Sequence, residues 1–206
     1  MIRLLLADDE NLIRSALAAL LSLEDDLEVV AQAASASEAL AMARLHRPEV
    51  AVLDLQMPSL PGTTTGGIGV VEALREDLPE CAALIVTGHG RPGHLKHALA
   101  AGARGFLPKT VSAQVLADVI RTVHTGGRYV DPELAAEAIS SGDSPLTARE
   151  ADVLELAADG APIEEIARRA ALSPGTVRNY LSSAAGKLGT TNRHEAVRVA
   201  RTHGWI

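Results

Sequence analysis

An unbroken apolar run that ends on an acid constrains this chain more than any other feature: Val50-Ala51-Val52-Leu53 passes directly into Asp54, then Leu55-Gln56-Met57-Pro58. A continuous Val-rich run bounded by turn residues fits a central parallel strand covered on both faces. The strand stops at the carboxylate. In open α/β sheets the ligand crevice lies outside the carboxyl ends of the strands, so Asp54 should project into it.

The same pattern repeats through the first two thirds of the chain. Strand patterns at 2–7, 28–33, 50–54, 82–87 and 105–107 alternate with helical spacing at 12–21, 37–46, 70–77, 92–101 and 112–124. Five strands alternating with five helices predict an α/β unit, a doubly wound parallel sheet with right-handed crossovers and helices on both faces. Residues 125–144 carry Gly126-Gly127, Asp131-Pro132 and Ser140-Ser141-Gly142-Asp143-Ser144 around a short Ala-rich helix at 132–139, and read as a linker. Beyond it, four helical segments at 147–158, 163–170, 174–187 and 193–203 show no strand pattern. The chain therefore divides into domains at 1–124 and 145–206, joined by 125–144.

Charge separates the two halves as clearly. Residues 1–144 hold 11 Lys+Arg against 19 Asp+Glu, net -8, whereas 145–206 hold 8 against 7, net +1. An acidic half suits a cation site, and a nearly neutral half with clustered Arg suits one face on nucleic acid. The cores must be built from Ala, Leu, Val and Ile, since 47% of the 206 residues are hydrophobic and only 2% aromatic. The single Cys81 has no disulfide or metal partner and reads as a small core residue. No apolar run approaches the ~20 residues of a membrane span, and no signal-peptide layout precedes the first strand, so a cytoplasmic location is expected.

Chemistry gathers at the strand ends. Asp8 and Asp9 follow the first strand, Asp54 ends the third, Thr87 ends the fourth and Lys109 follows the fifth. Clustered carboxylates repel one another unless a cation sits among them, and oxygen-only ligands suit Mg²⁺. Asp54 is then the candidate nucleophile toward phosphorus, with Lys109 pairing phosphoryl oxygens and Thr87 donating a hydroxyl hydrogen bond.

Those five positions, with Gly105-Phe106-Leu107-Pro108-Lys109, resemble the receiver domain of two-component response regulators over residues 1–124. The resemblance implies the flavodoxin-like strand order 2-1-3-4-5. It makes Asp54 the phosphorylation site and assigns Mg²⁺ to Asp8, Asp9, Asp54 and the Gln56 carbonyl. Thr87 and Phe106 become a hydroxyl and aromatic switch pair. Gln56 and His89, each two residues beyond Asp54 and Thr87, would border the phosphoryl group and tune its hydrolysis. The loop 59–69 is about five residues longer than the family's usual turn and is expected to be a flexible surface insertion.

In the second half, Leu146-Thr147-Ala148-Arg149-Glu150 is a capping-box signature. Two helices then meet at Leu172-Ser173, the second opening with Thr176-Val177-Arg178-Asn179-Tyr180, which predicts a helix-turn-helix. With Glu165-Ile166-Ala167 and Lys187-Leu188-Gly189, the segment is similar to the LuxR/FixJ-type DNA-binding domain. Thr176, Val177, Arg178, Asn179, Ser182 and Lys187 are the candidate DNA contacts. Arg178 and Asn179 suit base edges; Thr176 and Lys187 suit phosphates. Val177, Tyr180, Leu181 and Ala184 also fall at core spacing.

Together these resemblances imply a NarL/FixJ-class transcriptional regulator, similar to the DesR-type subgroup through 23–30, 91–93, 176–180 and Gly204-Trp205. A sensor histidine kinase, operator DNA, a second copy of the chain and RNA polymerase are the implied partners. It is not expected to be an enzyme beyond its own phosphoryl transfer and slow dephosphorylation. Two alternatives stand beside it. One is a regulator that binds DNA regardless of phosphate. The other is a phosphatase of the haloacid dehalogenase type, whose second acid two residues after the nucleophile is here Gln56.

Overall fold

The computed structural model describes residues 1–58, 66–88, 90–140, 142, 144–170 and 172–206. The chain divides into two compact units, residues 1–90 with 96–132 and residues 91–95 with 133–206. Strands β1 (Ile2–Ala7), β2 (Leu27–Ala33), β3 (Val50–Asp54), β4 (Ala82–Thr87) and β5 (Gly105–Pro108) alternate with helices α1 (Asn11–Leu21), α2 (Ala36–His46), α3 (Gly66–Asp77), α4 (Pro92–Ala101) and α5 (Ala113–His124). The sheet is parallel in the order β2-β1-β3-β4-β5, as expected. A sixth strand, β6 (Tyr129–Val130), then adds to its edge beside β5. It comes from the segment read as linker, whose Gly126 takes a positive φ of 88° and turns the chain back toward the sheet.

Burial explains the strand pattern. All five residues of β3 and all six of β4 are buried, because helices cover both faces and no polar alternation is needed. Leu4, Leu6, Val52, Leu84, Val86 and Leu107 pack against Leu116, Ile120 and Val123 of α5. Ser35 and Ser112 cap α2 and α5 by accepting the amides of Glu38 and Val115.

Register aligns the strand ends. Ala7 lies beside Leu53, Asp54 beside Val86, and Thr87 beside Pro108. Asp8, Asp54, Thr87 and Lys109 therefore leave the sheet along one edge.

Helix α3 corrects one expectation. It begins at Gly66, four residues before the predicted start, so 66–69 are buried helix rather than flexible loop; residues 59–65 lie outside the described residues. Proximity is the reason. A Cβ on Gly67 would sit 2.4 Å from the Asp54 carbonyl oxygen, and one on Gly66 2.1 Å from that of Met57. The glycines let the helix start press against the backbone that carries Asp54, and the Gly67 amide donates to the Leu55 carbonyl at 3.2 Å.

The second unit is helical: α6 (Pro132–Ser140), α7 (Ala148–Leu156), α8 (Ile163–Arg169), α9 (Pro174–Lys187) and α10 (Arg193–Thr202). Val153, Leu154, Ile166, Val177, Leu181, Ala184 and Val197 form its core, with Trp205 packed on the edge. Thr147, Ser173 and Asn192 cap α7, α9 and α10. Among the described residues no helix is long and apolar enough to cross a membrane.

Candidate functional site

Asp54 sits at the end of β3 with 5% of its surface exposed, among apolar neighbours that include Leu6, Val52 and Val86. Its carboxylate lies 3.3 Å from Lys109 Nζ, which also approaches Asp8 at 2.8 Å and Glu10 at 3.4 Å. Oxygens of Asp8, Asp9 and Asp54 all fall within 4.8 Å of one another. Asp8 Oδ1 accepts the Glu10 amide at 2.9 Å, and Arg14 donates to the Asp8 carbonyl.

The electrostatics follow from this crowding. Burial pushes the Asp54 carboxyl above the ordinary carboxylate value; Lys109 opposes that shift, the Asp8 charge adds to it, and the Gln56 amide opposes it. For Lys109, burial works to lower the ammonium, but the hydrogen bond to Asp8 and the charges of Asp54 and Asp8 win and hold it above its ordinary value. One ammonium faces several acids, so the pocket keeps net negative charge in an oxygen-only donor set. That composition fits Mg²⁺, which binds through one or two carboxylates and accepts phosphate oxygens as further ligands.

The remaining receiver positions fall as follows. Thr87 is fully buried at the end of β4, and the Lys109 amide donates to its carbonyl at 2.8 Å. Phe106 is fully buried in β5, beside Ile85 of β4. Gln56 is exposed beyond β3. His89 lies outside the described residues. Glu10 was missed in the sequence as a third acid at Lys109, because an acidic run reads as a solvated loop.

In the second unit the six DNA-contact candidates separate. Arg178, Asn179 and Ser182 are exposed on α9, with Arg178 only loosely paired to Glu164 at 3.9 Å. Val177 is fully buried in the core and presents nothing to a groove, which corrects its place among the contacts. Core spacing already carried that signal. Thr176 belongs to the α9 cap, its hydroxyl 2.8 Å from Ser173 Oγ and its amide donating to the same oxygen at 3.1 Å.

Lys187 points elsewhere than expected. Its Nζ lies 2.7 Å from Glu150, a carboxylate only 4% exposed that also accepts from Ser183 Oγ at 2.6 Å and the Thr147 amide at 2.7 Å. Burial alone would raise the Glu150 carboxyl, but Lys187, Ser183 and Thr147 together pull it down to about 2. The capping box was legible in sequence; the reach of its acid to α9, 33 and 37 residues away, was not.

Comparison with known proteins agrees with this two-part arrangement. The family model described as response regulator receiver domain matches residues 4–121, and the one described as bacterial regulatory proteins, luxR family, matches 144–200. The chain is 38% identical over 206 residues to the transcriptional regulatory protein DesR of Bacillus subtilis strain 168, covering 100% of both chains. It is 38% identical over 198 residues to the transcriptional regulatory protein UhpA of Escherichia coli strain K12, covering 96% of this chain and 97% of that one. Among solved structures, the response regulator ChrA of a heme-sensing two-component system matches with a TM-score of 0.57 and 31% identity, over 100% of this chain and 98% of that one.

Proposed function

This chain belongs to the response regulators that join a receiver domain to a LuxR-type DNA-binding domain, and from that premise we propose that phosphorylation of Asp54 by a sensor histidine kinase switches it toward dimeric, operator-bound transcriptional control. One observation carries the reading: Asp54 is a buried strand-end carboxylate 3.3 Å from Lys109, with Asp8 and Asp9 completing an acidic cluster.

An Asp54 oxygen attacks the phosphorus of the kinase phosphohistidine; the O–P bond forms as the N–P bond breaks, and the electron pair leaves with the imidazole. Burial raises the carboxyl's pKa and with it the basicity of the attacking oxygen. Lys109 turns from the carboxylates to the incoming phosphoryl oxygens, and the Thr87 hydroxyl donates to one of them. Asp8, Asp9, Asp54 and the Gln56 carbonyl would hold Mg²⁺, which when bound neutralises charge on the phosphoryl group. Thr87 at the end of β4 and Phe106 within the adjacent β5 are the pair that passes the change onward.

A second copy would have exposed apolar side chains to cover on α1, α5 and the turn after α1: Leu12 is 83% exposed, Leu23 78%, Leu20 45% and Val115 39%, and Arg121 of α5 pairs with Glu24, Asp26 and Asp118. On DNA, Arg178, Asn179 and Ser182 of α9 are the base-facing set.

Incubation with acetyl phosphate and Mg²⁺ should add the mass of one phosphoryl group and raise both dimer fraction and DNA affinity. Asp54→Asn should abolish all three changes. Equal labelling of Asp54→Asn would place the phosphoacceptor elsewhere.

A further inference from the structure

Apolar packing holds α9 but does not by itself fix its rotation. The buried face of that helix is Val177, Leu181 and Ala184, small or branched residues packed on Val153, Leu154 and Ala157. Such contacts are nondirectional and resist sliding or turning of the helix only through shape. Hydrogen bonds are directional, and a single buried carboxylate supplies three here. Glu150 ties the first turn of α7, through the Thr147 amide, to two α9 donors one helical turn apart, Ser183 and Lys187.

Helical geometry turns Lys187 away from Arg178. Nine residues at 100° each place it about 180° around the helix from Arg178, and eight place it about 80° from Asn179. On that side its ammonium meets Glu150 of α7 at 2.7 Å.

We propose that Glu150 is a positioning residue for DNA reading, locking the register and rotation of α9 through Ser183 and Lys187, and that Lys187 acts through Glu150 rather than by holding a phosphate. Buried ionic groups that fix register are a known use of such pairs. The proposal rests on α9 being the helix that reads DNA. Unlike the expectation drawn from the sequence, it removes Lys187 from the phosphate contacts and gives a role to an acid that no DNA contact would need.

The test uses the full chain with acetyl phosphate and Mg²⁺. A duplex enriched by the wild-type chain from a randomised pool is compared with a shuffled duplex of the same composition. Lys187→Met, Glu150→Gln and the double variant are titrated on both at several salt concentrations, and their thermal midpoints are recorded.

A phosphate contact predicts equal loss on both duplexes and a slope of log K against log salt reduced by about 0.9 for Lys187→Met. The positioning role predicts an unchanged slope and binding to the shuffled duplex within about twofold of wild type. It also predicts a loss of ~10-fold or more on the enriched duplex, the equivalent of about 1.4 kcal/mol. The double variant should lose no more than either single one, because all three remove one interaction and the double leaves no buried charge alone. A reduced slope, additive losses, or equal weakening on both duplexes overturns the proposal. If Glu150→Gln fails to fold, Lys187→Met and Ser183→Ala still decide between the two outcomes through slope and duplex preference. Failure of the wild-type chain to enrich any sequence would overturn DNA reading by α9 itself, a result separable from every variant effect.

Discussion

Substituting Gly67 by alanine isolates how closely α3 supports the strand that ends in Asp54. The new Cβ would stand 2.4 Å from the Asp54 carbonyl oxygen and 3.1 Å from Leu55 Cα, where ordinary contact starts at 3.4 Å. Both neighbours are backbone, so neither can rotate away, and the helix start must retreat by about 1 Å. That movement stretches the 3.2 Å bond from the Gly67 amide to the Leu55 carbonyl. Overpacking of this kind costs roughly 1–3 kcal/mol, and the hydrogen bond adds about 1 kcal/mol. Against this, alanine gains at most about 1 kcal/mol of helix propensity, and less at a first turn. The clash wins, leaving Gly67→Ala destabilised by ~1–3 kcal/mol. Gly186 in α9 supplies the opposite sign. Nothing lies within 4 Å of its Cβ position, so Gly186→Ala should stabilise by roughly 0.5–1 kcal/mol. Urea unfolding followed by circular dichroism reads the first; fluorescence of Trp205, the chain's single tryptophan and part of the helical unit, reads the second. Gly67→Ala should also slow labelling by acetyl phosphate, because the strained backbone carries Asp54. Wild-type stability and wild-type labelling in Gly67→Ala would refute the close-approach argument.

Three further outcomes follow from charge and surface. The Glu150 carboxyl sits at about 2 in the folded chain against an ordinary 4.5, so its stabilisation is complete above pH 4.5 and is lost as pH falls toward 2. Its ceiling is about 3 kcal/mol, less in practice because Lys187 is 38% exposed, and Glu150→Gln should flatten the stability of the helical unit across that window. Asp54 shifts the other way: a raised carboxyl pKa means that ionisation costs stability once pH passes the unfolded value. Asp54→Asn should therefore melt higher than wild type without Mg²⁺ and respond less to added Mg²⁺, as read by calorimetry; a lower midpoint would show that the lost Lys109 partner dominates. Leu12→Arg with Leu23→Arg should abolish phosphodonor-induced dimers in light scattering while leaving Asp54 labelling intact, and an unchanged dimer fraction would exclude these two exposed leucines from the contact.

The sequence revealed what depends on local pattern. Buried strands announced themselves as apolar runs, so β1, β3 and β4 were read with their observed limits at 2–7, 50–54 and 82–87. Helices with side-chain caps were nearly as plain: Thr147 and Glu150 form the expected capping box, and Ser35 caps α2. Contacts between distant segments were not legible. Gly66 and Gly67 looked like loop glycines because sequence shows flexibility but not the backbone that will lie 2.1–2.4 Å from an added Cβ. β6 was hidden because two residues carry no period, and only the free edge of β5 makes them a strand. The bond of Lys187 to Glu150 is illegible for a similar reason, since the sequence does not show which buried acid a lysine 37 residues away will meet.

Both units contain a lysine held by at least one buried carboxylate, and the difference between the two arrangements lies in the count of acids against donors. Around Lys109, Asp8, Asp54 and Glu10 compete for one ammonium, and Asp54 is left with its carboxyl raised. An acid held in that condition gains from a new partner, which is what a cation or an incoming phosphoryl group supplies. Around Lys187 the ratio is inverted: one acid, Glu150, receives three donors and is driven down to about 2. The acid there already has its partners. On the reading proposed above, the first cluster changes its bonding and the second keeps it, so the same pair of residue types would serve a switch in the sheet unit and a fixed joint in the helical unit, distinguished by the count of donors against acceptors rather than by burial, which both carboxylates share.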